Sequence, residues 1–333
     1  MYRWNPLTAK YECFFRGPIG RTEDTVSETT HTVNVTAADY RAMLARCILN
    51  TPWTFTQRDQ LVIFNFLLGP GSSTGPFPNL AIVTNNVLNP DGSFLAGNAT
   101  GVLRDRTYTG AEKCGDMLDN LSKVSNGFDW GIVPIDPLDP SGLGIYAGYH
   151  QMWYPQQGIT KPFIAEYGAT VTSLTRTVNS SDFANWIRND GQTNNNVPLY
   201  AISPGDVMAN PQLHAEGLWQ EGISNADVSD PNTLQQQADG ELAFRSQLMP
   251  SYTIQLVPGA WKGKTDCWLG DSVSLRVVSG RLNVNTTARI IAIDFDIGDD
   301  GAERVALTVG RDTLAFSELM ADHQSQLDAL TRR

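Results

Sequence analysis

No apolar run in the 333-residue chain is long enough to cross a bilayer, which excludes a helical membrane span. The first residues, Met1 to Lys10, lack the apolar h-region of a secretory signal, so synthesis and assembly in a cytoplasm are expected. Cysteine is scarce. Cys13, Cys47, Cys114 and Cys267 are far apart and form no Cys-x-x-Cys pair, which argues against a zinc site or redox motif and for free buried thiols. His31, His150, His214 and His323 are equally scattered, and His214-Ala215-Glu216 is too short for a His-Glu-x-x-His metalloprotease motif. Neither a metal nor a cofactor is expected. Basic residues are in deficit: 24 Lys and Arg against 35 Asp and Glu give a net charge of −11 and a pI of about 4.8. Phosphate backbones need basic patches, so specific nucleic-acid binding is not expected. The run Gly69 to Pro76 is Gly-rich but lacks the Gly-Lys-Ser/Thr ending of a phosphate loop, and reads as a flexible loop.

What is present points to β structure. The length suggests two or three domains. Hydrophobic residues make up 41%, enough for real cores, while 29 Gly and 18 Pro favour many turns over a helical bundle. The most regular stretch is Ser251 to Arg311. Tyr252, Ile254 and Leu256 alternate with polar residues. So do Val273, Leu275 and Val277, then Ile291, Ile293, Phe295 and Ile297, then Val305, Leu307 and Val309. Alternation with period two puts the apolar residues of each run on one face. Asp300-Gly301 favours a tight hairpin between the last two runs. Such strands make a small barrel or sandwich.

Upstream, Tyr11 to Arg21 and His31 to Thr36 read as strands joined by an acidic, Thr-rich hairpin loop, Thr22 to Thr30. Two strands are marginal alone, so they must complete a sheet elsewhere in the chain or on a neighbour. Asp39 to Leu49 and Arg58 to Leu68 carry helical stripes. Thr109-Gly110-Ala111-Glu112 fits a capping box opening a helix through Met117, Leu118, Leu121 and Val124, with Gly127 at its end. Phe128 to Val133 and Ala169 to Val178 read as strands, and Phe183 to Arg188 as a shorter one ended by Asn189-Asp190-Gly191. Asp230-Pro231 opens a helix reaching about Gln247, with Asp as N-cap. Phe316 to Leu330 reads as a last helix, on which Leu319, His323, Leu327 and Leu330 form a loose heptad-like stripe.

The order of these elements resembles the minor tail proteins of phages infecting actinobacteria, of the baseplate-hub type. The matching stretches are Phe14-Phe15-Arg16-Gly17 with a strand ending Thr32-Val33-Asn34-Val35, then Leu121 to Trp130, Asp227-Val228-Ser229-Asp230, and Trp268-Leu269-Gly270-Asp271-Ser272-Val273 leading to Ala288-Arg289-Ile290-Ile291. Such proteins look like the trimeric hubs of contractile phage tails and type VI secretion spikes, although this resemblance leans to long non-contractile tails. It implies an α+β, β-rich tail-hub architecture with small β-barrel modules flanking a central α+β region. The implied division is a partial N-terminal barrel over 1–38, a central region over 39–249, a C-terminal barrel over 250–315 and a helix over 316–333. The first barrel needs more strands than Tyr2 to Thr36 offers, so they come from upstream, from a neighbour, or the barrel is reduced. The implied role is a structural virion component at the tail tip, joining tube to host-contacting tip and letting DNA pass. The implied partners are itself as a homotrimer, the distal tail or tail tube protein, the tape measure protein and other minor tail proteins.

Two other readings compete. A cell-wall hydrolase needs two carboxylates across a cleft. Asp294 and Asp296 share a strand face, but a solvated face explains them, and no spacing singles out Glu166, Asp182, Glu216 or Glu221. No catalytic residue is assigned. A receptor- or carbohydrate-binding module could use Tyr146, Tyr149, Trp153 and Tyr154, although aromatics on strands more often pack. Trp153, Tyr154, Trp261, Trp268, Leu319 and Leu327 are the candidate interface residues. Arg289 is expected to pair with an acidic neighbour, and such a pair at the surface contributes little.

Overall fold

The computed structural model describes residues 2–310, apart from 6–8, 28, 69–81, 85–87, 92, 94, 96–98, 125, 139–147, 179–182, 195–196, 206–216, 226–227, 247–249 and 298–301. The expected helix over 316–330, with Leu319 and Leu327, lies outside these residues, as do Tyr146, His214 and the Asp300-Gly301 turn.

The chain opens with two antiparallel hairpins. β1 (Tyr2–Asn5) pairs with β2 (Lys10–Cys13), and β3 (Ile19–Val26) with β4 (His31–Ala37). Thr22 to Val26 was expected as loop. It is strand instead, because the β-branched Thr22, Thr25 and Val26 suit a pleated ribbon and only Ser27 to Thr30 is needed for the turn.

A first core follows. α1 is a single turn, Arg41–Leu44, shorter than the expected Asp39–Leu49. β5 (Trp53–Asp59) pairs with β7 (Leu103–Tyr108). Between them lie α2 (Gln60–Leu68) and the short β6 (Ile82–Thr84), which is parallel to β9 (Gly148–Trp153). β9 in turn pairs antiparallel with β8 (Asp129–Pro134). α2 reads QLVIFNFLL and is apolar almost all round. Such a helix must be enclosed, and Leu61, Ile63, Phe64, Leu67 and Leu68 are all buried. They pack on Met117, Leu118 and Leu121 of α3 (Cys114–Ser122), with Leu44, Leu49, Tyr108, Trp130 and Met152 closing the cluster.

The expected capping box is realised differently. α3 begins at Cys114, so Thr109 is outside the helix. Glu112 still folds back, accepting from the Thr109 N–H and hydroxyl at 2.7 Å and from the N–H groups of Gly110 and Ala111. It staples the approach loop rather than the first turn.

A second, smaller core sits under a three-stranded sheet of order β13-β12-β14, made of β12 (Trp186–Asn194), β13 (Val197–Ser203) and β14 (Gln220–Ser224). α4 (Pro231–Arg245) lays Leu234 and Ala238 on Ile187, Ala184 and Val228. Its N-cap is as expected: the Asp230 carboxylate accepts from the Thr233 N–H at 2.7 Å, with Pro231 at the first helical position. Asn189-Asp190-Gly191 does not end β12 but runs inside it. The buried Asn189 amide donates to Leu234 O and Gln237 Oε1, both at 3.1 Å, and accepts from Asn225, so tertiary partners override the turn preference.

The third core is the stretch of strongest alternation. β15 (Ser251–Leu256), β16 (Ser272–Ser279), β17 (Leu282–Ile297) and β18 (Glu303–Val309) bury Tyr252, Ile254, Leu256, Val273, Leu275, Val277, Val305, Leu307 and Val309 on one side. Fully burying each such side chain stabilises the fold by about 1.5–3 kcal/mol. β17 has 16 residues and serves twice, pairing with β16 along its first half and with β18 along its second. A register shift between Ile290 and Ala292 bends it there. Two strands from the middle of the chain, β10 (Thr160–Glu166) and β11 (Val171–Thr177), complete the sheet in the order β10-β16-β17-β18-β15-β11. These edge strands are consecutive in sequence and meet at a corner, where Tyr167 N–H donates to Arg276 O and Val257 N–H to Thr170 O. The sheet therefore curls back on itself. The architecture is α+β and β-rich, with a curled sheet and few helices.

Candidate assembly interface

The β1–β2 hairpin faces the wrong way for a soluble surface. Arg3, Asn5 and Glu12 lie on its inner side. The Arg3 guanidinium grips Glu303 of β18 through two hydrogen bonds, at 2.6 and 2.9 Å, and sits 4.4 Å over the Trp261 ring. Asn5 is buried and donates to Glu12 at 2.8 Å. Beneath them Trp261 stacks on Trp268, and Lys264 lies 4.8 Å from the Trp268 ring. Burial pushes the Lys264 ammonium below its ordinary range. With the polar residues turned inward, period two puts Tyr2, Trp4 and Tyr11 outward. They are 43, 48 and 68% exposed, and Trp4 meets its cross-strand partner Tyr11 edge-on at 5.2 Å.

The β3–β4 ribbon goes further: every residue of both strands is exposed. Its register puts Thr22, Asp24 and Val26 opposite Val35, Val33 and His31 on one face. The other face holds Arg21, Glu23, Thr25, Thr32, Asn34 and Thr36 and is wholly polar. One face thus carries three uncovered valines, Val26, Val33 and Val35. The surface pairs Arg21–Glu23 and His31–Asp24, each at 3.4 Å, contribute little. Among the described residues neither strand pairs with anything but the other, so both outer edges keep open backbone donors and acceptors. At its base the ladder is extended by Ala38 N–H donating to Pro18 O.

A latch joins the first core to the curled sheet. Arg289 of β17 pairs with Asp129, the first residue of β8, with only 12 and 18% of the two side chains exposed. It also donates to Gly270 O and Gln157 O, each at 2.9 Å, while Asp129 accepts from the Gln157 N–H at 2.7 Å. The expected pairing of Arg289 is therefore present, but half-buried rather than at the surface. Gly158 and Gly270, both at positive φ, let the two loops touch: a Cβ on Gly158 would lie 2.1 Å from the Gly270 carbonyl carbon. Beside the latch is a cavity of about 260 Å³, walled by Trp130, Arg41 and the end of α3.

The aromatics picked from sequence lie elsewhere. Trp153 is 7% exposed and packs over Gly131, and Trp261 is 3% exposed. Tyr154 and Trp268 are half-buried against the first and third cores. The described part of the 146–154 stretch therefore offers no open aromatic platform. Asp294 and Asp296 are both exposed on their strand, on the solvated face expected of them. Among the described residues no three His, Cys, Asp or Glu side chains come together to hold a metal, and no helix is long and apolar enough to cross a membrane. The exposed Tyr2, Trp4 and Tyr11 went unremarked in the sequence, although their spacing across a hairpin carried the signal.

The fold is similar to that of solved phage tail proteins. Of the solved structures with this fold, the tail protein from Neisseria meningitidis MC58 aligns over 90% of this chain and 80% of its own, at 13% identity and a TM-score of 0.55. The 43 kDa tail protein of prophage MuSo2 from Shewanella oneidensis aligns over 88% and 78%, at 14% identity and a TM-score of 0.52. No family model and no curated protein sequence matches the chain.

Proposed function

We propose that this chain is a structural subunit of a phage tail, placed at the tail tip as a hub. Three copies close a ring that joins the tail tube to the host-contacting parts and leaves a passage for DNA. The carrying observation is the β3–β4 ribbon, whose valine face and two edges are uncovered. A two-stranded ribbon alone is marginal in water. Strand addition by a neighbour supplies the missing hydrogen bonds and covers the valines. A head-to-tail contact of this kind closes into a ring when its rotation is three-fold.

Under this reading the outward Tyr2, Trp4 and Tyr11 are a second contact patch, since tyrosine and tryptophan dominate the centres of protein interfaces. Trp268 meets Phe14, just after β2, edge-on at 5.0 Å and so backs the first hairpin. The other partners are the distal tail or tube protein, the tape measure protein and further minor tail proteins, and the site is the virion tail tip. The net charge of −11 suits a passage that repels DNA. No catalytic step is assigned. Electron microscopy of the purified chain, alone and with its tube protein, tests the proposal. Three-fold particles with ribbons at the subunit contacts are expected; single copies with the ribbon free, even when tube protein is bound, would overturn it.

A further inference from the structure

Two cysteines stand opposite each other beside the first core. Cys47 follows α1, and Cys114 opens α3. Around them the chain forms an antiparallel bridge in which Ile48 opposes Lys113. It is held by Cys114 N–H to Cys47 O and Leu49 N–H to Glu112 O, both at 2.8 Å. Residues flanking such a bridge oppose each other too, so Cys47 lies opposite Cys114, and opposed residues of an antiparallel pair have Cα atoms about 4.5–5.5 Å apart. That lies inside the roughly 4.4–6.8 Å that disulfides span.

Sidedness agrees. Ile48 is 58% exposed and Lys113 is exposed, so this pair points to solvent. Their neighbours point the other way: Cys114 is fully buried, and Cys47 is half-buried against the same cluster. Burial pushes the Cys114 thiol well above its ordinary range, and the nearby Cys47 pushes it in the same direction. Burial raises Cys47 as well. Both are free thiols in this structure.

We propose that Cys47 and Cys114 form a latent cross-link site, closed to a disulfide by exchange with a small-molecule disulfide once the chain leaves a reducing compartment. Cys47, the more exposed, loses its proton and attacks one sulfur of the reagent. The reagent's S–S bond breaks, and one small thiolate departs and takes up a proton. Cys114 then loses its proton and attacks the Cys47 sulfur, releasing the second small thiol. Two protein thiols are oxidised by two electrons, and one small disulfide is reduced to two thiols. The cross-link locks α1 to α3 and closes the loop that carries β5, α2 and β7. High thiol pKa values make closure slow, because the thiolate is the attacking species. The inference is independent of any role in a tail.

The test uses the full chain, reduced and then equilibrated with glutathione buffers of increasing oxidised fraction, below its unfolding temperature and without denaturant. Free thiols should fall from the four of the sequence to two, with the loss of two hydrogens in intact mass and one linked peptide pair containing Cys47 and Cys114. The Tm should rise by roughly 5 °C, from the closed loop's lost unfolded-state entropy. The Cys13→Ser/Cys267→Ser double variant should still close, and Cys47→Ser should not. Four thiols at every ratio would overturn the proposal. So would a lasting glutathione adduct on Cys47 beside a free Cys114, a Cys13–Cys267 link instead, or closure only in denaturant.

Discussion

Replacing Arg289 with alanine removes three interactions at once: the pair with Asp129 and the hydrogen bonds to Gly270 O and Gln157 O. Asp129 keeps the Gln157 N–H, so its carboxylate is not wholly orphaned. Breaking a buried ion pair from one side costs about 3–5 kcal/mol. Because 12 and 18% of the two side chains remain in water, the lower end applies, about 3 kcal/mol. For a chain of this length that is a fall in Tm of roughly 4 °C. The assay is thermal and urea unfolding of wild type, Arg289→Ala, Asp129→Asn and the double variant. A half-buried latch requires a coupling energy of about 1 kcal/mol or more. A loss below about 0.5 kcal/mol for Arg289→Ala, or strict additivity in the cycle, would mean that the pair behaves as an ordinary surface pair and that the latch reasoning fails.

The remaining expectations are simpler. Leu275→Ala empties a fully buried position in the curled sheet and should cost about 2–5 kcal/mol in urea unfolding. Asp230→Ala deletes the N-cap of α4 and should cost about 1 kcal/mol, with Asp230→Asn recovering most of it. Burial alone would raise the Glu112 carboxyl, but the Thr109 N–H and hydroxyl and the nearby backbone N–H groups outweigh it and hold it down at about 2, against an ordinary 4.5. A depressed carboxyl stabilises the fold above pH 4.5 and loses that contribution as pH falls toward 2. The stability gap between wild type and Glu112→Gln should therefore be full at neutral pH and shrink across that window; a gap that stays constant from pH 7 to 2 would refute it.

Legibility followed the range of the interactions. β15, β16 and β18 were readable because each buries one face, and period-two alternation is the direct imprint of that; of β17 only the second half was read, and there Ile297 is exposed. The cap at Asp230-Pro231 was readable because donor and acceptor are three residues apart. Long-range pairing was not. β10 and β11 start 91 and 80 residues upstream of β15, and nothing local marks them as edges of the curled sheet. Arg289 and Asp129 are 160 positions apart. Asn189-Asp190-Gly191 carried an honest turn signature that α4 overrode. Trp153 and Trp261, read from the sequence as interface candidates, are buried, because large aromatics bury the most area and so go to the core. The patch left outside is the hairpin whose polar side chains turned inward to meet Glu303 and Trp261.

The measurement that bears most directly on the hub is the mass of the purified chain by light scattering over a range of concentrations, with a Val33→Asp/Val35→Asp ribbon variant beside it. A mass three times 36.5 kDa for the wild type, or a trimer emerging as concentration rises, is predicted, together with a folded monomer for the variant. A wild-type chain that stays monomeric at every concentration, or a trimer untouched by two aspartates on the valine face, would contradict ring closure through the ribbon.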